Sequence, residues 1–349
     1  MVLKAWKERQ AHGRVFAMLF AVLFLIIGFV LLVKGADWLV EGASALAKRF
    51  GISDLAIGLT IVAFGTSAPE LVVNIVASAQ GASDIAIGNV VGSNIANILL
   101  ILGISAMITP VIVQRSTVRK EIPFSLLAAV LLFVMANDAL VDGLSYSALS
   151  RSDGLALLGF FVIFLAYTAG LQLESSKGLE DGKKPISPTI AFAMVILGFG
   201  GLVAGGKLTV DSAVTIARSL GLSEALIGLT VVAIGTSLPE LATSAVAAFK
   251  KKVDIAVGNI VGSNIFNIFL VLGVSATIRP LPFSPASNAD LMMVIIATVL
   301  LFIAIHNGWA AKRIFLWWKQ YDQYIIRRWE GALLLTTYGA YIVYIAWRG

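Results

Sequence analysis

The chain of 349 residues is 58% apolar and only 13% charged, with a mean hydropathy of +0.92. Soluble domains carry roughly 25% charged residues, so a soluble globule is excluded and repeated passage through a membrane is indicated. The net charge of +6 does not point to a nucleic-acid partner, because the bases sit in short clusters between apolar runs, as the positive-inside rule expects. With no cysteine, disulfides and thiolate metal sites are excluded.

In chain order, Lys4, Lys7, Arg9 and Arg14 precede an apolar run from Val15 to Val33. This resembles a signal peptide, but no small-residue cleavage site ends the run, so a retained first helix is expected. Apolar spans are predicted at about 15–36, 53–79, 83–107, 120–138 and 153–173, then 187–206, 223–249, 253–277, 288–306 and 330–347. The helical segments DWLVEGASALAKRFGIS and KLTVDSAVTIARSLGLS follow the first span of each set. Each is expected to be an interfacial helix or a lengthening of that span. Trp and Tyr mixed with bases across 307–328 predict a further interfacial helix.

Residues 58–103 recur as residues 228–273 at a constant offset of 170, with 28 of 46 paired positions identical. A long period repeated once marks a duplicated half-protein rather than a solenoid. The predicted organisation is all-α, about ten transmembrane helices in two five-helix halves, 1–173 and 187–349, joined by a polar linker at 174–186. An odd number of spans per half forces the second copy to run the opposite way, an inverted-topology repeat. Lys and Arg divide 17 against 9 between alternating sides. The richer side is therefore read as cytoplasmic, with the linker there, both termini outside and the chain multi-pass in the cytoplasmic (inner) membrane.

Within the repeat the identical residues are the chemically awkward ones, Gly-Thr-Ser-x-Pro-Glu followed by Gly-Asn-x-Val-Gly-Ser-Asn-Ile-x-Asn. Glu70 and Glu240 fall in mid-span, where a carboxylate costs at least about 2.5–3.5 kcal/mol on insertion scales and so faces a cavity or partner. Pro69 and Pro239 directly precede them and should break each helix, freeing carbonyls beside the hydroxyls of Thr66, Ser67, Thr236 and Ser237. In the next span Ser93 and Asn97 are four apart and Asn94 and Asn97 three apart, so they share a helical face, and the repeat carries the same residues to Ser263, Asn264 and Asn267. Gly88 and Gly92 would let a neighbouring backbone approach closely. Oxygen-only ligation at one depth suits hard cations such as calcium. Any one of these residues has a bland reading as packing or interhelical glue, but the set recurs in both halves, which a purely structural role must explain twice.

The motifs GTSAPE with GNVVGSNIAN, and GTSLPE with GNIVGSNIFN, resemble the two alpha-repeats of the calcium/cation antiporter superfamily, specifically bacterial sodium/calcium exchangers. The resemblance covers essentially the whole chain. It implies alternating-access exchange of sodium for calcium, with the first helices of the two halves sliding across a static core. By position Glu70 and Glu240 resemble the family's principal calcium ligands. Thr66, Ser67, Thr236, Ser237, Ser93, Ser263, Asn97 and Asn267, with the carbonyls of Ala63 and Ala233, resemble the lining of its sodium and calcium sites. Relatives carry Asp at one of the positions of Asn97 and Asn267, and potassium-dependent members an acid at the second; here both are Asn, which argues against potassium dependence. The expected partners are calcium, sodium and the lipid bilayer, with no cofactor, no nucleic acid and no obligate protein partner. The runner-up is a proton/calcium exchanger, whose relatives carry a Gly-Asn-Ala-x-Glu motif absent here. An intramembrane enzyme is disfavoured, because Ser67 has no His or Lys near it in sequence and no Asp pair lies mid-span.

Overall fold

A long apolar run without proline up to residue 50 has no reason to stop at the membrane surface, and the computed structural model continues it as one helix. Residues 2–171, 186–220, 235–306 and 324–348 are described, with side-chain environments from Met18 onward. In order the elements are α1 (Val2–Phe50), α2 (Asp54–Thr66), α3 (Ala68–Gln80), α4 (Ser83–Ile108), β1 (Val111–Val113) and α5 (Glu121–Met135). Next come β2 (Ala148–Leu149), α6 (Arg151–Leu171), α7 (Pro188–Ser219), α8 (Leu238–Phe249) and α9 (Val253–Ile278). The chain ends with β3 (Leu281–Pro282), α10 (Asn288–Ile305), β4 (Tyr324–Ile326) and α11 (Arg328–Arg348). Among the described residues six helices are long and apolar enough to cross a membrane, and α2 with α3, bent by 45° at their junction, makes seven if the pair is counted as one broken span. Of the two expectations for DWLVEGASALAKRFGIS and KLTVDSAVTIARSLGLS, the lengthened span is the one observed: α1 and α7 run on through them.

The two halves touch through matched contacts. An added Cβ at Gly35 would meet the Gly198 carbonyl at 2.8 Å, and one at Gly205 would meet the Gly28 carbonyl at 2.8 Å. Shifting either contact by the repeat offset of 170 produces the other. Glycines 28, 35 and 42 on α1 face Gly205, Gly198 and Ala191 on α7, an antiparallel pair with small residues seven apart on both helices. Such spacing lets backbones approach without intervening side chains. Two short antiparallel ribbons also join the halves, β1 with β4 (Val111 opposite Ile326) and β2 with β3 (Leu149 opposite Leu281). The interfacial helix expected across 307–328 lies mostly outside the described residues, but its end is corrected: Tyr324–Ile326 is strand, held by backbone pairing to β1. The linker 174–186 likewise lies almost wholly outside them.

Burial separates centre from periphery. The apolar windows of α4 and α9 are 72% and 94% buried, against 22% for α1 and α6 and 33% for α7. The peripheral helices present Leu19, Phe20, Leu155, Val162, Phe192 and Leu197 outward, the face that a bilayer would solvate. Around α9 the rings of Phe124, Phe160, Phe164 and Phe269 pack at centroid distances of 5.5–5.8 Å. The two central helices thus sit in a rigid apolar frame, and both carry the polar motifs.

Candidate ion-binding site

The break forecast before each glutamate is present. Ser67 leaves helical geometry at φ −84°, ψ 2°, and α3 restarts with Pro69 in its first turn, where a missing N–H costs nothing. Ser237 repeats this at φ −87°, ψ 5°, with Pro239 opening α8. Glu70 and Glu240 therefore stand in the first turns of α3 and α8, where the helix dipole favours an anion. Both are fully buried. Gly65 serves close approach, since a Cβ there would collide with the Phe199 ring of α7.

The opposing helices contribute amides and hydroxyls. Asn97 and Asn267 each lie in a π-helical turn, Ala96–Ile101 and Asn267–Leu272, an irregularity frequent at functional sites. There the Asn97 amide donates to Asn264 Oδ1 at 2.9 Å and the Asn267 amide to Asn94 Oδ1 at 3.0 Å. These two bonds exchange under the repeat offset. Asn267 also donates to Ser93 Oγ at 3.2 Å.

Hydroxyls reach both carboxylates, one of them from the opposite half. Ser67 donates to Glu240 Oε1 at 3.1 Å, and Ser93 reaches Glu70 Oε1 at 3.4 Å while meeting Ser237 at 3.0 Å. Thr66 lies 3.4 Å from Ser263. The Ala63 carbonyl accepts from the Ser67 N–H at 3.0 Å and from the Thr66 hydroxyl at 3.3 Å. Ala233 lies outside the described residues. The structure thus brings Glu70, Glu240, Thr66, Ser67, Ser237, Ser93, Ser263, Asn97 and Asn267 into one polar cluster. Thr236 joins it at the edge, half-buried. The close approach expected of Gly88 and Gly92 is not seen among the described residues, where an added Cβ at either meets nothing within 4 Å; their counterparts Gly258 and Gly262 do make one, each within 2.8 Å of an α2 carbonyl once a Cβ is added.

Within this cluster four buried oxygens have no hydrogen-bond partner among the described residues: Glu70 Oε2, Glu240 Oε2, Asn97 Oδ1 and Asn267 Oδ1. They are two pairs related by the repeat. All are acceptors, and the two carboxylates also repel one another across the cluster. A buried acceptor left unsatisfied costs about 1–3 kcal/mol, more when charged, and a cation is the group that would satisfy all four together. Sequence reasoning missed Asn89 and Asn259 as members of the polar network. The signal was present in the identical Gly-Asn pairs of the repeats, but a lone intramembrane Asn reads first as interhelical glue.

A family model described as sodium/calcium exchanger protein matches residues 20–170 and 190–347. The sodium/calcium exchanger MaX1 of Methanosarcina acetivorans is 35% identical over 92% of this chain and 97% of its own length. The inner membrane protein YrbG of Escherichia coli is 40% identical over 81% of this chain and 88% of its own. Among solved structures, the sodium-calcium exchanger NCX_Mj soaked with zero Na+ and Ca2+ matches with a TM-score of 0.76 at 33% identity, covering 94% of this chain and 99% of that one. The duplicated motifs, the oxygen cluster they build and these matches agree: the chain belongs to the sodium/calcium exchanger protein family of membrane antiporters.

Proposed function

We propose that this protein exchanges sodium for calcium across the cytoplasmic membrane by alternating access through the cluster described above. The observation that carries the reading is the set of four buried oxygens unpartnered among the described residues, two carboxylate and two amide, contributed equally by the two repeats. Calcium takes oxygen ligands alone, and two ionised glutamates neutralise its charge. Thr66, Ser67, Thr236, Ser237, Ser93, Ser263 and the carbonyls of Ala63 and Ala233 supply neutral oxygens around them. The names of MaX1 and NCX_Mj support the choice of ions.

The architecture we infer is ten spans in two inverted halves, 1–173 and 187–349. Contacts that exchange under the repeat offset, such as Asn97 with Asn264 and Asn267 with Asn94, support it. The distribution of Lys and Arg supports a cytoplasmic linker at 174–186 and outward-facing termini. Alternating access would come from α1 and α7 sliding as a pair, since they pack through glycines and expose most of their remaining surface.

The deciding experiment is uptake of radioactive calcium into vesicles containing the purified protein, under imposed sodium, proton or potassium gradients. An outward-directed sodium gradient should drive uptake. Uptake driven by a proton gradient and indifferent to sodium would replace this reading with proton/calcium exchange.

A further inference from the structure

Asn89 on α4 and Asn259 on α9 stand 19 residues after the glutamate of their own repeat. They lie four residues before Ser93 and Ser263, on the same helical face. Each carboxamide is held at its nitrogen by its own half. Asn259 Nδ2 donates to Ser244 Oγ at 3.0 Å, and Asn89 Nδ2 to Asn74 Oδ1 at 2.7 Å, with Asn74 itself tied to the Ala86 carbonyl at 2.9 Å. That fixes which end of each amide faces the other half. Asn259 Oδ1 accepts the Thr66 hydroxyl at 3.0 Å, and Asn89 Oδ1 accepts the Thr236 hydroxyl at 3.2 Å. The two bonds are images of one another under the repeat offset, and both cross between repeats.

A threonine hydroxyl has one proton and two lone pairs. Beside an ionised carboxylate its proton would turn to that charge, because charge-assisted hydrogen bonds are the stronger ones. A hydroxyl so spent presents its proton, not its lone pairs, toward the carboxylates. Thr66 and Thr236 directly precede Ser67, which donates to Glu240, and Ser237, which meets Glu70 through Ser93, so this competition arises at both positions. We propose that Asn89 and Asn259 are positioning residues that take the protons of Thr236 and Thr66 and so turn those hydroxyl oxygens toward the bound cation. The proposal rests on the sodium/calcium exchange reading and adds to it the determinant of sodium affinity. Sodium, with half the charge of calcium, gains less from the two carboxylates and depends more on oriented neutral oxygens.

The test is a pair of double-mutant cycles in reconstituted vesicles, reading the half-saturating sodium concentration for exchange against radioactive calcium. Asn259→Ala and Thr66→Val should each raise it by about 5- to 10-fold, the equivalent of one hydrogen bond's worth of orientation. The half-saturating calcium concentration should change by less than about 3-fold, a split that mere loosening of the fold would not produce. Because Asn259 acts through Thr66, the double variant should be no worse than either single one, whereas Asn259→Ala with Thr236→Val should multiply. Asn89→Ala with Thr236→Val carries the same expectation if Asn259→Ala aggregates. Multiplicative losses within the crossed pairs, or equal loss of both ion affinities, would overturn the proposal while wild-type exchange stood. Failure of both asparagine variants to fold, with Thr66→Val intact, would make the amides plain braces and also overturn it. Wild-type vesicles without sodium-coupled uptake would remove the exchange reading and this inference together.

Discussion

Ser67 of the first repeat donates its hydroxyl proton to Glu240 of the second at 3.1 Å, so the break in one half directly holds the carboxylate of the other. The reverse connection is indirect: Ser237 meets Ser93 at 3.0 Å, and Ser93 reaches Glu70 at 3.4 Å. Neither glutamate belongs to its own repeat alone. Each keeps its Oε2 buried and without a hydrogen-bond partner among the described residues.

Glu70→Gln and Glu240→Gln should therefore each abolish calcium uptake while the protein still inserts and purifies as a monodisperse species. Glutamine keeps the volume and the helix position, but it removes the charge and can place an N–H where the cation's ligand oxygen stood. Loss of folding is not expected, because replacing a buried carboxylate by its neutral isostere relieves desolvation as well as repulsion. Uptake near the wild-type level in either folded variant would remove that carboxylate from the site.

Ser67→Ala and Ser237→Ala should weaken sodium more than calcium. Both hydroxyls are neutral oxygens at the break of their helices, within reach of the carboxylates or their partners. Calcium affinity is dominated by the two formal charges, so it should fall by only about 2- to 3-fold while sodium affinity falls by about tenfold, roughly one hydrogen bond's worth of free energy. Competition between the two ions, titrated in the purified protein, reads both at once. Calcium binding unaffected by saturating sodium would count against a shared pocket.

Much of this arrangement was legible in the sequence because its determinants are local. Pro69 and Pro239 dictate the breaks, apolar length dictates the spans, and the constant offset of the repeat anticipates contacts that exchange between halves. What escaped is long-range. Gly35 and Gly205 are points where α1 and α7 touch, and no local pattern announces a partner more than 150 residues away. The strand pairing of Val111–Val113 with Tyr324–Ile326 escaped for the same reason: three residues carry no usable periodicity. The π-helical turns at Asn97 and Asn267 contain no proline or glycine to announce them.

The α1–α7 contact makes its own prediction. A methyl group at Gly35 would lie 2.8 Å from the Gly198 carbonyl and the Leu202 nitrogen, both backbone atoms that cannot move aside. Gly35→Ala should destabilise the protein by about 1–3 kcal/mol, as overpacked contacts do, and slow exchange. Gly200, on the exposed face of the same pair, meets nothing within 4 Å. Gly200→Ala should therefore leave transport unchanged and raise stability by about 0.5–1 kcal/mol through helix propensity alone. Thermal unfolding in detergent, followed with and without calcium, separates the two. Equal behaviour of the two variants would mean that the close approach is not needed.

Transport should move net charge and should not require potassium. Two ionised glutamates neutralise one calcium ion, so the calcium-loaded site is neutral, whereas three sodium ions on the same carboxylates leave a single positive charge. If the exchange ratio is three sodium per calcium, one charge crosses per cycle, worth about 2.3 kcal/mol per 100 mV of membrane potential. Asn97 and Asn267 turn oxygen, not charge, toward the cluster, so no third carboxylate is available there to hold a co-transported potassium ion. Calcium uptake into vesicles clamped with an ionophore should accelerate when the interior is made negative under inward calcium movement against a fixed sodium gradient only if charge moves inward with calcium. For three sodium leaving per calcium entering, net positive charge moves outward, and an interior-negative potential should instead slow uptake. The sign of the voltage effect thus reports the ratio. Voltage-insensitive uptake would refute the charge argument, and an absolute requirement for potassium on the calcium side would show that the two amides do not govern coupling. Asn267→Asp supplies the complementary check: a third carboxylate should tighten calcium binding at the site, measured by the same uptake, and unchanged affinity would place Asn267 outside the calcium shell.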